Sequence, residues 1–414
     1  MSASRLDQLL DDRQRGSTLP QAFYTDPEVF AADIDRVYSR NWLFAGHSCQ
    51  LRRSGDYVTF DTGPIALIIT RDDDGVLHAL ANTCRHRGSR ILSKTCGHAG
   101  KLVCPYHRWS YASDGSLTQA KWMGDGFRKD AYGLVRSHVR EIAGLIFVCV
   151  AEDPPDFDLA HAAIAPQLAP HGLERAKVCA VEDYEIKANW KVVFENNREC
   201  YHCPSGHPEY TRINFDIGMP GDQRVGSDYE GILASRRARW HANGLAHTEQ
   251  VNFPNGSWFR CARMPLREGF VTESLDGRPV APLMGDLTDP DAGSLRIIAF
   301  PNAWFHANSD YFNSTQLIPV GPNRTRARIV YLVHEDAREG VDYDPARVTE
   351  FWKVTTEQDW RLCENNQAGI ESRDYRPGPL SPVTESGVET LATWYLDQLR
   401  SPAVTRRSHA CSSA

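Results

Sequence analysis

The chain has 414 residues, of which 41% are hydrophobic and 24% charged, which favours a globular protein with two or three domains that needs no disulfides to bury its core. The net charge of −7 argues against a nucleic-acid partner. The sequence shows neither a signal peptide nor an apolar run of membrane-spanning length, so we expect a cytoplasmic protein.

The first part of the chain is predicted to form a helical arm followed by an all-β domain. Residues 1–40 favour helix, because Phe30, Ile34 and Val37 share one helical face. Short apolar runs separated by Gly and Asp then indicate β-strands. The predicted strands are Tyr57–Phe60, Ile65–Ile69, Leu77–Ala79, Leu102–Cys104 and Leu145–Val150. This domain, residues 41–155, ends in an acidic segment that contains two prolines.

Two cysteine and histidine pairs lie in this β-domain. Cys84 and His86 form a C-x-H motif, and Cys104 and His107 form a C-x2-H motif, each in a loop after a predicted strand. Two thiolates and two imidazoles in this order fit a binuclear iron–sulfur cluster of the Rieske type, in which one iron takes both sulfurs and the other both nitrogens. Because neutral imidazoles replace charged thiolates, such a cluster accepts an electron readily and serves as an electron relay.

A zinc site and a second motif are the alternatives for these loops. Zinc modules usually pair Cys with Cys and His with His, whereas here the two residue types alternate. Another C-x-H motif, Cys96 and His98, lies only a few residues before Cys104, which leaves too little chain to form two loops on opposite sides of a cluster. We therefore predict that Cys84 and His86 are the ligands of the first loop.

The remaining chain, residues 156–400, is predicted to mix helices with a β-rich middle, so that the whole protein is of the α+β class. The predicted helices are Leu159–Leu168, Asn189–Tyr201 and a long helix from Pro345 with Asp344 as its N-cap; the predicted strands are Val178–Ile186, Leu295–Phe300, Asn313–Pro319 and Arg326–His334. The polar tail, residues 401–414, is expected to be disordered.

A second set of metal-binding side chains is predicted in this part. His202 closes the predicted helix, and His207 returns from the following loop. On the late helix, Asp359 falls on one stripe together with Val348, Trp352, Thr355, Leu362 and Asn366. A carboxylate at an inward position is costly unless a metal compensates it. We predict that His202, His207 and Asp359 form a two-histidine, one-carboxylate site, whose open positions suit ferrous iron that must bind dioxygen.

Other interpretations of these residues remain open. A histidine pair near a helix end is often structural, and Asp359 could pair with an arginine. Cys200 and Cys203 form a C-x2-C pattern, which is half of a zinc or redox site. Because no second C-x2-C exists, buried free thiols are the simpler interpretation, and the 11 cysteines fit a reducing compartment.

In combination these motifs resemble the oxygenase (alpha) subunits of Rieske-type non-haem iron oxygenases, over about residues 41–399. The matching motifs are Cys84-Arg-His86, Cys104-Pro-Tyr-His107, Asn189-Trp-Lys191, Glu199-Cys-Tyr-His202 and His207. The resemblance implies a Rieske [2Fe-2S] β-domain followed by a catalytic domain with mononuclear Fe(II), in which an antiparallel sheet wraps around helices in the helix-grip manner.

The resemblance also implies an assembly and an electron path. The enzymes of this family form ring-shaped homotrimers, in which the cluster of one subunit reduces the iron of its neighbour. Glu199 matches the bridging carboxylate, which accepts hydrogen bonds from His202 and, across the interface, from His107. Electrons come from NAD(P)H through a flavin and iron–sulfur reductase or a ferredoxin.

The segments 84–90, 196–203 and 207–209 look most like the branch of the family that acts on quaternary amines such as glycine betaine, proline betaine and choline. That resemblance implies hydroxylation of an N-methyl carbon, followed by release of formaldehyde and the demethylated amine. A quaternary ammonium favours aromatic faces. The candidates for such a cage are Trp258, Phe259, Trp304, Phe305, Tyr311 and Phe312, with core packing as the alternative.

Three other functions compete with this one. The same iron centre could oxygenate the nitrogen of a small amine, or a carbon of another small or aromatic substrate. A pure electron carrier is a second alternative, opposed by the chain length and by the second set of metal-binding side chains. A zinc-stabilised binding protein is the third.

Overall fold

The computed structural model describes residues 3–217, 227–245 and 248–401. Apart from Ser401, the tail that the sequence predicts to be disordered lies outside the described residues. Two antiparallel sheets of seven strands and one small sheet of three strands account for the β-structure of this part of the chain. Among the described helices, none combines the length and the apolar character that a membrane crossing requires.

The helices and strands follow the chain order. The helices are α1 (Ala3–Asp11), α2 (Ala22–Thr25), α3 (Pro27–Ala32), α4 (Asp158–Leu168), α5 (Trp190–Asn197), α6 (Cys203–Gly206), α7 (Pro208–Ile213), α8 (Ser227–Ala242), α9 (Pro345–Ile370) and α10 (Ser386–Arg400). The strands are β1 (Leu43–His47), β2 (Asp56–Thr62), β3 (Ile65–Arg71), β4 (Leu77–Ala81), β5 (Cys96–His98), β6 (Leu102–Val103), β7 (Ser110–Tyr111), β8 (Leu117–Gln119), β9 (Arg136–Ile142), β10 (Leu145–Cys149), β11 (Lys177–Ile186), β12 (Val251–Asn252), β13 (Phe259–Met264), β14 (Ser294–Ala299), β15 (Ala303–Ala307), β16 (Phe312–Gly321) and β17 (Arg324–Val333).

The first large sheet has the strand order β1-β10-β9-β4-β3-β2-β5. Its strand β3 is apolar on both faces, because it separates two cores. Leu67 and Ile69 face the main hydrophobic core. Ile68, which points the other way, packs in a smaller core with Cys84 and Cys104. The cysteine loops therefore rest on a buried apolar base.

The second large sheet has the order β11-β17-β16-β15-β14-β13-β12. Helix α5 packs on α9 and on β16, and α9 also packs on β11 and α7. The predicted α+β fold, a β-domain followed by an antiparallel sheet that packs on helices, is confirmed. Asp344 is the N-cap of α9 as predicted, and its carboxylate accepts a hydrogen bond from the backbone N–H of Ala346 at 2.9 Å.

The N-terminal arm is held by a buried carboxylate, Asp33, in a π-helical turn after α3. Asp33 accepts hydrogen bonds from the indole N–H of Trp190 at 3.0 Å and from the hydroxyl of Tyr395 at 2.6 Å. It also forms an ion pair with the ammonium of Lys191. All four side chains are buried, and a fully bonded buried charge fixes one arrangement of the segments that carry it.

One helical prediction needs correction, and two long helices were not predicted. The predicted helix Asn189–Tyr201 ends at Asn197, so His202 lies beyond it, in the segment before α6. Helices α8 and α10 were not predicted. In α8 the apolar residues are few and interspersed with arginines, so that no apolar stripe marks the helix in the sequence.

A partly buried glutamate on α5 should make the stability of the fold depend on pH. Burial raises the pKa of Glu195 to about 7, although the hydroxyl of Tyr24 and the charge of Lys191 oppose that shift. The raised pKa means that the folded chain holds a proton that the unfolded chain releases at lower pH. Glu195 therefore costs stability as the pH rises from about 4.5 to about 7, by roughly 1–3 kcal/mol at most.

We expect Glu195→Gln to unfold at a temperature a few degrees higher than the unsubstituted protein at pH 8, with no difference at pH 4.5. Thermal unfolding followed by circular dichroism at both pH values measures this. Glu185→Gln, which replaces an exposed glutamate on β11, serves as the control and should leave both unfolding temperatures unchanged. Equal stabilisation by Glu195→Gln at both pH values would contradict the assignment.

Candidate metal centres

The two loops with cysteine and histidine have the same backbone conformation. The N–H of Cys84 donates to the carbonyl of Ser89 and that of Cys104 to the carbonyl of Trp109, at 2.9 and 2.8 Å. Gly88 and Arg108 occupy equivalent positions, and both have a left-handed backbone, with φ of 76° and 60°. The glycine meets this requirement without strain. The two loops thus share a backbone conformation and begin with equivalent cysteines, whereas the histidine stands two residues after Cys84 in one loop and three residues after Cys104 in the other.

The two thiols lie on the inner side of this site. Cys84 and Cys104 are buried, and the hydroxyl of Tyr111 lies 3.3 Å from the Cys84 sulfur. Burial alone would raise the pKa of Cys104, but the backbone N–H groups of Tyr106 and His107 outweigh it and lower that pKa. Backbone donors of this kind favour a thiolate, which is the form that binds metal.

The two imidazoles lie on the outer side. The ring centroids of His86 and His107 are 4.6 Å apart, and His86 stacks on Trp109 at 4.9 Å. Nδ1 of His86 is buried, and no hydrogen-bond partner for it exists in the described part of the chain. His107 is exposed, next to Tyr106, which is 57% exposed. A pair of inner thiols, an unsatisfied imidazole nitrogen and an outer imidazole fit a Rieske cluster close to the surface.

The competing C-x-H motif lies elsewhere. Cys96 and His98 belong to strand β5, which pairs with β2 at the edge of the first sheet. Nδ1 of His98 makes a hydrogen bond of 2.9 Å to the carboxylate of Asp56. The structure therefore engages this histidine in a hydrogen bond on the surface of the sheet.

The second centre combines two short segments with the long helix α9. His202 precedes α6, and His207 lies between α6 and α7. Nε2 of His207 lies 2.8 Å from a carboxylate oxygen of Asp359, and Nε2 of His202 lies 3.4 Å from the same oxygen. One ligand atom from each of the three residues falls within 4.8 Å of the others. This donor set and spacing fit a divalent metal with open positions.

In both histidines Nδ1, the ring nitrogen that does not contact Asp359, is engaged in a hydrogen bond. Nδ1 of His202 bonds to Glu199 at 2.5 Å, and Nδ1 of His207 bonds to the amide oxygen of Gln358 at 2.8 Å. Such partners fix the orientation of a metal-binding imidazole and leave Nε2 available. Burial lowers the pKa of His202, but its hydrogen bonds to Asp359 and Glu199 outweigh burial and raise that pKa to about 9.

Aromatic packing brings His207 to α9. Tyr210 of α7 packs on Phe351 and Trp352 of α9, with ring centroids 6.3 and 6.2 Å apart. Asp359 follows two turns later in the same helix. The predicted inward position of Asp359 is correct, but Leu362 of the same stripe is 39% exposed.

The cysteines beside His202 differ from the prediction. Cys200 and Cys203 form a disulfide, with their Cα atoms 4.9 Å apart, so the prediction of free thiols is wrong for this pair. The N–H of Cys203 donates to the carbonyl of Cys200 at 3.4 Å. This turn brings two side chains three residues apart to the same side.

A cavity adjoins the three ligand atoms. Residues from the helices and from strands β13, β14 and β15 line it together: Asn196, Asn197, Glu199, Cys200, His202, Cys203, His207, Tyr210, Arg260, Arg296, Ile297, Ile298, Trp304, Phe305, His306, Trp352, Thr355 and Asp359. Of the six aromatic residues predicted as cage candidates, Trp304 and Phe305 line the cavity. Trp258, for example, packs instead on Phe147 and Phe157 in the core.

Several residues at this centre were not predicted from the sequence. Gln358 and Tyr210 carry no distinctive motif. Arg260 and Arg296 do have a signal, because each is a charged residue in a strand that is mostly apolar; β13 contains a second arginine, Arg263, at a position of the opposite face. That pattern indicates an arginine that points into a protein interior.

Two family models match the chain. The model of the Rieske [2Fe-2S] domain matches residues 41–128, and the model of the ring hydroxylating alpha subunit (catalytic domain) matches residues 173–401. The first match contains the predicted cluster ligands, and the second contains His202, His207 and Asp359.

Relatives match over most of their length. The chain is 41% identical to the glycine betaine monooxygenase oxygenase subunit of Chromohalobacter salexigens, over 95% of this chain and 88% of that protein. It is 33% identical to the carnitine monooxygenase oxygenase subunit of Acinetobacter baumannii, over 87% and 86%. A crystal structure of a quaternary ammonium Rieske monooxygenase with L-carnitine has the same fold, with a TM-score of 0.69, 23% identity and coverage of 94% and 98%.

We expect Asp359→Ala to remove the mononuclear metal ion and to leave the cysteine-bound iron in place, because two imidazoles alone hold a divalent ion weakly. Metal analysis of purified protein, together with the visible absorption of the iron–sulfur chromophore, measures both. Glu357→Ala, two residues away on α9 and outside the cavity lining, is the control and should retain both metals. Full mononuclear metal in Asp359→Ala would exclude this carboxylate as a ligand.

Proposed function

Since this chain belongs to the Rieske-type family of ring hydroxylating alpha subunits, we propose that it oxygenates an N-methyl group of a betaine-like quaternary amine. The chain is a Rieske non-haem iron oxygenase with a [2Fe-2S] cluster and a mononuclear iron, and a reductase supplies its electrons. In this proposal Cys84, His86, Cys104 and His107 hold the cluster. The observation that carries the proposal is the convergence of three ligand atoms beside a cavity lined by aromatic rings.

The iron is held by His202, His207 and Asp359. When bound there, ferrous iron supplies the reductive activation of dioxygen. Both imidazoles come from the segment around α6 and the carboxylate from α9, and all three side chains line the cavity, where such an ion would be accessible to a bound molecule. Glu199 and Gln358 keep both rings in the orientation that metal binding requires.

The substrate is a small molecule with an N-methylated quaternary nitrogen. Trp304, Phe305, Trp352 and Tyr210 give the cavity several aromatic rings, and a quaternary ammonium is attracted to aromatic faces. The relatives named above are a glycine betaine and a carnitine monooxygenase, and both of those compounds carry a trimethylammonium group. The aromatic lining and the relatives therefore support the same substrate class.

The reaction consumes dioxygen, two electrons and two protons. One oxygen atom enters a C–H bond of an N-methyl group, and the other leaves as water. The resulting N-hydroxymethyl ammonium breaks its N–C bond, with the electron pair returning to nitrogen and the hydroxyl proton leaving. The products are formaldehyde and the demethylated amine.

We propose a cytoplasmic homotrimer in which the residues that would hold the cluster of one subunit face those that would hold the iron of its neighbour. His107 is exposed, and the side chains of Glu199 and His202 are 13% and 20% exposed, so both centres lie close to the surface and can meet across an interface. Glu199 is the bridge, since it already accepts a hydrogen bond from His202. Electron transfer between subunits is described for the structurally similar quaternary ammonium Rieske monooxygenase.

We expect Glu199→Gln to keep both metals but to slow turnover about 100-fold or more, because the neutral amide no longer holds His202 and His107 as the carboxylate does. Stopped-flow oxidation of the reduced cluster, measured with substrate and dioxygen, isolates the transfer between centres. Glu364→Gln is the control, because Glu364 accepts a hydrogen bond from the backbone of Lys187 and lies outside the cavity. If the rate of cluster oxidation is unchanged in Glu199→Gln, Glu199 is not the bridge between the two centres.

A screen of small amines tests the reaction itself. Purified protein with a surrogate reductase is supplied with N-methylated betaines, choline, tertiary amines and aromatic compounds, while oxygen uptake and formaldehyde are followed together. We expect formaldehyde in equal amount to the oxygen consumed for an N-methyl betaine. Oxygen uptake with an oxidised product and no formaldehyde would favour N-oxygenation or C-hydroxylation of another substrate instead.

A further inference from the structure

Two buried guanidinium groups lie in the sheet wall of the cavity. Arg260 on β13 is 1% exposed and Arg296 on β14 is 8% exposed. Arg296 pairs with Ala262 in the antiparallel register. Arg260 precedes Ala262 by two residues, so the two arginines are on the same face of the sheet. Both line the cavity that also contains His202 and His207.

The positive charge of Arg296 is already balanced by a carboxylate of the protein. Its guanidinium lies 3.1 Å from the carboxylate of Glu273 and donates to the amide oxygen of Asn214 at 2.6 Å. Burial opposes ionisation of Glu273, but the neighbouring His306 and Arg296 outweigh it and lower its pKa to about 2. Glu273 is therefore ionised, and it neutralises Arg296.

Arg260 is not compensated in this way. Its Nε donates to the neutral amide of Asn252 at 2.9 Å. Its Nη2 is buried and makes no hydrogen bond, and no carboxylate of the described residues forms an ion pair with it. Burial and the charge of Arg296 lower the pKa of Arg260 to about 10, so the group remains charged at neutral pH. A buried charge without a partner is costly, and an anion in the cavity would relieve that cost.

The distance between the arginines and the iron ligands determines how long a molecule must be to contact both. The ring of Tyr210 lies 6.4 Å from the ring of His207. Cζ of Arg296 lies 5.7 Å from the centroid of the same Tyr210 ring. The cationic wall is thus about one aromatic side chain away from the iron ligands. A small molecule can reach from one to the other.

We propose that Arg260, assisted by Arg296, binds a carboxylate of the substrate. The inference rests on the proposed function and narrows it: the substrate is a small zwitterion, with its quaternary nitrogen near the iron ligands and its carboxylate on Arg260. The guanidinium offers a planar pair of donors to a carboxylate. An amino alcohol such as choline leaves Arg260 buried and unpaired, so the site discriminates against it.

Four probes separate the carboxylate from the quaternary nitrogen. Glycine betaine and choline both carry a trimethylammonium group, and only the first has a carboxylate. In 3,3-dimethylbutanoate and 3,3-dimethylbutan-1-ol a neutral tert-butyl group replaces the trimethylammonium. Calorimetry on the anaerobic, metal-loaded full chain gives the dissociation constant of each probe. We expect each carboxylate to bind at least about 30-fold more tightly than its alcohol counterpart.

Variants of Arg260 test whether this residue is responsible. Arg260→Gln should reduce the 30-fold preference to within about 3-fold and leave the affinity for choline nearly unchanged. Arg260→Lys keeps the charge and should retain part of the preference. Arg263→Gln removes another buried arginine of β13, which bonds to the carbonyls of Ala292 and Gln167 and is outside the cavity lining. That control should leave the preference intact. Iron content and cluster absorption verify that each variant is folded.

The results also distinguish this inference from the proposed function. If the unsubstituted protein binds choline as tightly as glycine betaine, the carboxylate site is overturned, whether or not Arg260→Gln folds. Formaldehyde from choline would in that case still support N-demethylation. If both carboxylates bind through Arg260 but no N-methyl compound yields formaldehyde, the carboxylate site stands and the proposed reaction is wrong. A preference that persists in Arg260→Gln would also overturn the inference.

Discussion

The catalytic half of the molecule depends on one carboxylate, Asp359, and the two imidazoles that meet it. A carboxylate inside a protein costs free energy unless a cation or a metal compensates it. Asp359 is in the middle of the long helix α9, whose apolar face fixes its position. Tyr210 fixes the segment that carries His207 against the same helix. Glu199 and Gln358 complete the arrangement, since they orient the two rings through Nδ1.

The sheet forms the other wall of the cavity. Alternate side chains of a strand point to the same face, so every second residue can face the cavity. Strand β13 directs Arg260 to the cavity, and β14 and β15 place Arg296 and Trp304 there. The helices therefore supply the metal-binding side, while the sheet supplies a cationic and aromatic side. The candidate metal ligands and the two arginines therefore stand on different elements, so that each set can be altered by substitution without changing the other.

Much of this organisation could be predicted from the sequence, because it depends on residues close together in the chain. Cys84 and His86 share one loop, as Cys104 and His107 share another, and the structure gives both loops the same backbone. The N-cap and apolar period of α9 predicted a long helix and the inward position of Asp359. The end of α5 at Asn197 was not predicted, since the amphipathic pattern continues beyond the last helical residue.

The sequence by itself identified the two sets of candidate metal ligands, the two-part α+β organisation and about half of the strands, since local spacing and periodicity decide which side chains share a loop or a helix face. Only the tertiary structure decided that Cys200 and Cys203 are joined and that Arg260 lies beside Arg296 without an ion-pair partner among the described residues. These features depend on strand register and on contacts between segments distant in sequence. The residue types and the hydrophobic period of a segment do not depend on which other segment it packs against. They therefore do not reveal that contact in advance.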